Sequence, residues 1–281
     1  MCSLIILRRP GAPWPLLLAA NRDELRTRPW RAPARHWPDR PEVVAGLDAL
    51  SGGSWLGVND YGLVAAVLNR VGSLGPAPGK RSRGELVLEA LEHADARAAS
   101  AALSDLDPDA YRPFNLIIAD ARDAYWLRNP EGLPSFGFRT ASGAWQSVAP
   151  SRMAGALGAP PAPPVECQPV PDGLSMITAH DLNDPAALRI RHYLPRFEAA
   201  PVPTPEQDDW SDWIDLLAHR EGPDGDPRNA MTIVSDGDYG TLCSSLLALP
   251  AVGRPIMRFA AGRPGETPFA PVALAPNVRR S

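Results

Sequence analysis

Apolar and polar positions alternate along this chain in short blocks, with few long helical stretches. Ser3-Leu4-Ile5-Ile6-Leu7 and Pro15-Leu16-Leu17-Leu18-Ala19-Ala20 read as two strands, and Arg9-Pro10-Gly11-Ala12-Pro13 between them reads as the turn of a hairpin. Gly52 to Asn69 reads as strand, tight turn, strand, with Asn59-Asp60-Tyr61-Gly62 supplying the turn. Leu86, Val87, Ala90, Leu91 and Ala94 recur at helical spacing and predict a helix over about 83–104. Strands are expected at about 114–119 and 123–128, with shorter ones near 144–149 and 173–178. Two helices follow at about 185–200 and 207–220, the second with Trp210, Trp213, Ile214 and Leu217 on one face. Strands near 231–235, 241–249 and 255–260 close the pattern. Strand pairs interrupted by helix pairs predict an α+β fold: two stacked antiparallel sheets covered by helices on both outer faces, as one domain over 1–281. The proline-rich stretch 159–171 is expected to be a loop or insertion.

Composition narrows the class only a little. Of the 281 residues 44% are hydrophobic and 21% charged, which are globular values. A net charge of −4 gives no reason to expect nucleic acid or an anionic membrane as partner. The 33 prolines cluster in loops and form no convincing recognition array. Cys2, Cys167 and Cys243 cannot all pair, and no Cys/His spacing suggests a metal; no metal or cofactor is expected. The first residues lack a secretory pattern and the apolar runs are far shorter than a membrane span. A cytoplasmic protein without stable membrane insertion is the expectation. The oligomeric state is open.

The chemistry starts at Cys2. Removal of Met1 would put a thiol and a free α-amine on one residue, and an amine titrating near pH ~8 can serve as that residue's own base. The alternative is a small hydrophobe at a strand start. The hairpin would bring Arg22 and Asp23 of Asn21-Arg22-Asp23-Glu24 close to Cys2. A guanidinium there favours the thiolate, so Cys2 is expected to ionise more readily than Cys167 or Cys243. A carboxylate there would hold the ammonium; a solvated polar turn is the other reading. Asn69 ends an apolar strand and is either an oxyanion donor or a turn residue.

Several motifs together resemble the transport and Golgi organization 2 (TANGO2) family, also called NRDE. They are Met1-Cys2, Ala19-Ala20-Asn21-Arg22-Asp23-Glu24, Gly52-Gly53-Ser54-Trp55-Leu56-Gly57, Arg83-Gly84-Glu85-Leu86, Phe114-Asn115-Leu116-Ile117 and Tyr239-Gly240-Thr241. That family is similar to N-terminal nucleophile hydrolases, most nearly those cleaving conjugated bile acids and penicillin V. The resemblance implies a four-layer αββα sandwich and a site of Cys2, Arg22, Asp23 and Asn69. Two departures stand out. The hydrolases have a mid-chain Thr-Asn where this chain has Thr178-Ala179-His180, so His180 takes the asparagine's position and Asn183 is displaced. Leu242 follows Thr241 where many family members have Arg.

Two functions follow. One is an N-terminal cysteine amidohydrolase that cleaves a non-peptide C–N bond of a small amide. The other is a non-catalytic protein that binds or traffics haem or another hydrophobic carboxylate, as some family members have been linked to haem trafficking. Asn21, Trp30 and His180 are candidate substrate contacts. Trp30 and Trp37 lie in a Pro/Arg-rich loop and would line a pocket mouth or simply pack. Trp55 and Trp126 read as core, Glu24 as a loop tie, and Asn115 as an amide that must find partners inside its strand.

Overall fold

A computed structural model describes residues 2–129, 136–139, 145–148 and 165–274. The hairpin forms as its pattern requires. β1 (Ser3–Arg8) pairs antiparallel with β2 (Leu16–Leu25), and Ser3 stands opposite Asn21. The other strands are β3 (Trp30–Ala34), β4 (Val43–Asp48), β5 (Leu56–Asn59), β6 (Val64–Asn69), β7 (Phe114–Ala119), β8 (Ala124–Asn129), β9 (Phe136–Arg139), β10 (Trp145–Val148), β11 (Glu166–Pro169), β12 (Gly173–Ile177), β13 (Tyr239–Leu249), β14 (Ile256–Ala260) and β15 (Ala270–Pro271). They build a six-stranded sheet, β12-β1-β2-β13-β14-β15, a seven-stranded sheet, β11-β8-β7-β6-β5-β4-β3, and a separate pair, β9-β10.

Period-two alternation sorts the strand side chains into layers. Leu4 and Ile6 of β1, Leu16 and Leu18 of β2, and Leu247 of β13 meet Val44, Val58, Val64 and Ile117 of the other sheet. Their neighbours Ile5, Leu7, Leu17 and Leu246 face outward onto α3 (Leu188–Ala199) and α4 (Ser211–Ala218). Val43, Ala45, Ala65 and Leu116 face α1 (Gly84–Leu91) and α2 (Ala96–Ser104) on the far side. The result is the expected αββα sandwich. A one-residue slip would exchange two buried faces, each side chain carrying about 1.5–3 kcal/mol of burial, so the register is firmly set.

Several elements differ from the sequence reading. The single helix expected over 83–104 is two helices, because Asp95 is extended and its side chain caps Ala98 N–H at 2.8 Å. Residues 231–235 form no strand; Thr232 N–H bonds instead to His219 O. Glu166–Pro169, inside the expected proline-rich loop, pairs with β8; residues 159–164 lie outside those described. β3 and β4 went unforeseen because Arg, Pro and Gly interrupt their apolar runs. Among the described residues no helix is long and apolar enough to cross a membrane.

Candidate active site

β1 and β2 bring the N-terminal segment and the Asn21–Glu24 tetrad together. The Cys2 sulfur lies against the backbone of Asp23: the Asp23 N–H donates to it at 3.4 Å, and the thiol donates to the Asp23 carbonyl at 3.5 Å. Tyr239 O–H donates to the same carbonyl at 3.0 Å. The Asp23 side chain is fully buried, accepting from Thr241 Oγ1 at 2.6 Å and from Arg189 Nη1 at 3.3 Å. Arg189 also donates to Ser3 Oγ at 2.8 Å and to Arg228 O at 2.6 Å. The first turn of α3 is thus locked beneath the two strands that carry Cys2 and Asp23.

On the inter-sheet side a small cavity is lined by Cys2, Arg22, Trp55, Leu56, Leu68 and Cys243, among others. Arg22 is buried with its guanidinium carbon 4.3 Å from the centre of the Trp55 ring. Trp30 stands edge-on to that ring, with centroids 6.1 Å apart. Two glycine motifs brace this wall. A Cβ on Gly53 would lie 2.5 Å from the Gly84 carbonyl carbon, and Ser54 N–H bonds to Gly84 O at 3.0 Å. The backbone contact joining the Gly52-Gly53-Ser54-Trp55 loop to α1 therefore has no room for a side chain on Gly53.

Burial pushes the Cys2 thiol above its ordinary range, and Asp23 adds to this, outweighing the lowering by Arg22. Burial thus acts against thiolate formation at Cys2, opposing the pull of the guanidinium. Cys243 is fully buried and is pushed up to about 12 by burial. Cys167 is exposed on β11.

The structure groups Cys2, Arg22 and Asp23 and leaves other candidates apart. Asn69 follows Leu68 at the cavity wall, but the register pairs it with Phe114, which faces the helix layer. Asn21 borders the cavity, yet its amide donates to Leu217 O at 3.0 Å and Met231 O at 2.9 Å and accepts from Ser244 Oγ at 2.7 Å, a structural tie. Trp30 stands behind Trp55, and His180 lies beside Thr178 Oγ1. Trp37 packs against the α1–α2 layer and donates to Gly52 O at 2.9 Å. Trp126 is core; Trp55, read as core, is only partly buried and borders the cavity. Asn115 is saturated by Arg70, Trp126, Thr178 O and His180 O. Glu24 lies 3.8 Å from Arg28 and bonds Leu25 N–H, a loop tie. The sequence reading passed over Arg189, although it shares the face of Ile190, Tyr193 and Phe197, and such an arginine on an apolar helix stripe is a signal. Among the described residues no cluster of His, Cys, Asp or Glu could hold a metal ion.

Comparisons with known proteins agree with this architecture. Over 110 residues the chain is 40% identical to the Transport and Golgi organization protein 2 homolog of Bos taurus, covering 37% of this chain and 38% of that protein. It is 37% identical over 114 residues to the Homo sapiens homolog, covering 39% of this chain and 40% of that one. The matched region therefore spans about two-fifths of the length of these relatives. Among solved structures, the N-acylethanolamine-hydrolyzing acid amidase ortholog of Caenorhabditis elegans superposes with a TM-score of 0.50 at 13% identity, over 88% of this chain and 92% of that one. This likeness shows that the two chains share a fold. The family model described as Transport and Golgi organisation 2 matches residues 1–158, more than half of the 281, and the chain belongs to that family.

Proposed function

We propose that this chain is an amidohydrolase in which Cys2, made N-terminal by removal of Met1, cleaves a non-peptide C–N bond of a small amide. The observation that supports it most is the Cys2 sulfur in the wall of a cavity, between the Asp23 N–H and the buried Arg22. The thiol gives its proton to its own α-amine and the sulfur attacks the amide carbon. The tetrahedral adduct collapses as the ammonium protonates the departing nitrogen, leaving a thioester. Water, deprotonated by the same amine, then cleaves the thioester, releasing a carboxylic acid and restoring the thiol. Arg22 is assigned the developing oxyanion, since its Nη1 is buried and has no hydrogen-bond partner among the described residues. Asn69, one residue outside the cavity wall, is not given that role. Asp23, fixed by Arg189 and Thr241, orients the N-terminal residue. Leu4, Leu56 and Leu68 in the cavity wall suit an acyl chain.

The second reading, a carrier of a hydrophobic carboxylate such as haem, is favoured by the same Arg22 Nη1, without a hydrogen-bond partner among the described residues, in an apolar wall. Wild type and Cys2→Ala are assayed side by side against a panel of N-acyl amides and in a haem titration followed by absorbance. Amide cleavage lost in Cys2→Ala, without saturable haem binding, is the expected result. Haem binding that saturates at one equivalent with no amide cleaved rejects the hydrolase. Intact-mass measurement adds a further condition, because retained Met1 removes the α-amine from Cys2.

A further inference from the structure

Arg22 is held differently from the other arginines near it. Arg189 is tied to Asp23, Ser3 and the Arg228 carbonyl, and Arg83 to Ser73 and the Pro113 carbonyl. Arg22 Nη1 has no such partner among the described residues, and the contact that defines the guanidinium is the Trp55 ring at 4.3 Å. Stacking on an aromatic ring holds a guanidinium through its plane and leaves the in-plane N–H donors free. A carboxylate in the same place would occupy those donors and cancel the charge.

The ring itself is fixed. A Cβ on Gly46 would fall 2.3 Å from two carbons of the Trp55 six-membered ring, so the indole occupies the space a side chain on β4 would need. Trp30 closes on it edge-on. The backbone is pinned as well: Trp55 O accepts from Val67 N at 3.0 Å, and Ser54 Oγ accepts from Leu56 N at 3.2 Å. On the reading of Cys2 as nucleophile, we infer that Trp55, seated against Gly46, is the positioning residue that holds the Arg22 guanidinium in the Cys2 cavity with Nη1 open to an anionic oxygen. Its sequence context agrees: a core tryptophan would tolerate any apolar neighbour, whereas this one needs a glycine beneath it and an arginine on it.

The test reads Cys2 directly and needs no substrate. Cys167 is replaced by serine to silence the exposed thiol, and the iodoacetamide rate at Cys2 is followed by peptide mass spectrometry across pH. The charged and titratable groups around Cys2 are Asp23 and Arg22 of β2, Cys243 and Tyr239 of β13, Arg83 beside α1 and the α-amine; only the hold on Arg22 is altered. Trp55→Leu frees the guanidinium to leave, so the Cys2 rate near neutral pH falls about fivefold and its rise moves to higher pH. Trp55→Phe keeps an aromatic face and stays within about twofold of wild type. Arg22→Gln slows Cys2 similarly, and adding Trp55→Leu to it changes nothing further, the signature of two residues acting as one unit. The inference is overturned if Trp55→Leu slows Cys2 equally when Arg22 is absent, or leaves the rate unchanged in a protein that still melts cooperatively. If Trp55→Leu does not fold, Gly46→Ala, which displaces the ring from beneath, is read by the same two criteria. Coupling between Trp55 and Arg22 in a protein that cleaves no amide rejects the hydrolase and keeps the positioning role; cleavage that depends on Cys2 with no coupling does the reverse.

Discussion

Toward the far end of β6 and β13 from Cys2, a second cavity of about 180 Å³ is lined by Tyr61, Asp120, Arg122 and Pro250, among others, and is larger than the one that holds the thiol. Each cavity has an aspartate nearby, and their partners differ. Asp120 accepts only backbone N–H groups, from Ala96 at 2.9 Å, Arg122 at 2.7 Å and Asp123 at 2.8 Å, which close a turn and tie down the start of α2. Asp23 has a buried arginine and a threonine hydroxyl on its side chain, and its backbone touches a thiol. The larger space is an irregularity where loops meet. The smaller one sits where three adjacent strands, β1, β2 and β13, present Cys2, Arg22 and Cys243 side by side. Volume marks where matter is missing; buried charge held by strand registers marks where chemistry is expected.

Substitutions at the two ends should separate them most sharply in activity. Cys2→Ala is expected to lower amide turnover by a factor of about 10³ or more while the melting temperature stays near wild type. Tyr61→Ala, at the exposed rim of the larger cavity, should change neither. Equal loss in both variants would mean that the larger cavity takes part in turnover.

Stability should divide the same way. Arg189→Met leaves the Asp23 carboxylate buried without its guanidinium, and chemical denaturation should show a loss of about 3–5 kcal/mol. Adding Asp23→Asn should recover part of it, because a neutral amide is cheaper to bury than a carboxylate that has lost its arginine. Asp120→Ala gives up hydrogen bonds from three neutral donors and should cost less, about 1–3 kcal/mol. A larger cost at Asp120 than at Arg189 would reverse the contrast between the two ends.

Much of the site's address is readable in the chain. The β1–β2 hairpin follows from two apolar runs and a Pro/Gly turn, and its antiparallel pairing delivers Arg22 and Asp23 to Cys2. The αββα layering follows from the alternation of block types. The groups that complete the site come from distant segments, and local pattern does not reveal them. Arg189 lies 166 positions from Asp23, and Thr241 lies 218 positions away. Trp55 looked like a core residue because apolar neighbours cannot show that Gly46 clears space for its ring. Asn69 is visible in sequence as a strand-end amide, whereas the face it shares is decided by its pairing with Phe114. The charge neighbours of Cys2 can be inferred from a hairpin, whereas the depth of burial that opposes them depends on the second sheet.

Alkaline pH should act on the Cys2 end of the sandwich. Cys243 borders the same cavity and is fully buried, which pushes its thiol from its ordinary 9.0 up to about 12. The folded protein thus keeps that proton while the unfolded chain releases it near 9. Below pH 9 both states are protonated and the thiol contributes no pH dependence. Between about 9 and 12 the unfolded state binds fewer protons, so stability falls as pH rises, at most about 1.4 kcal/mol per pH unit from this one group. Cys243→Ala removes the ionisable group at the cost of a small void, a loss that is the same at every pH. Denaturation midpoints measured at pH 8 and pH 10 should therefore drop less in Cys243→Ala than in wild type, by an amount on the order of 1 kcal/mol. Cys167→Ser, a change at an exposed position outside the cavity, should leave the wild-type drop intact. An undiminished drop in Cys243→Ala would assign the alkaline sensitivity to other groups and remove this distinction between the ends.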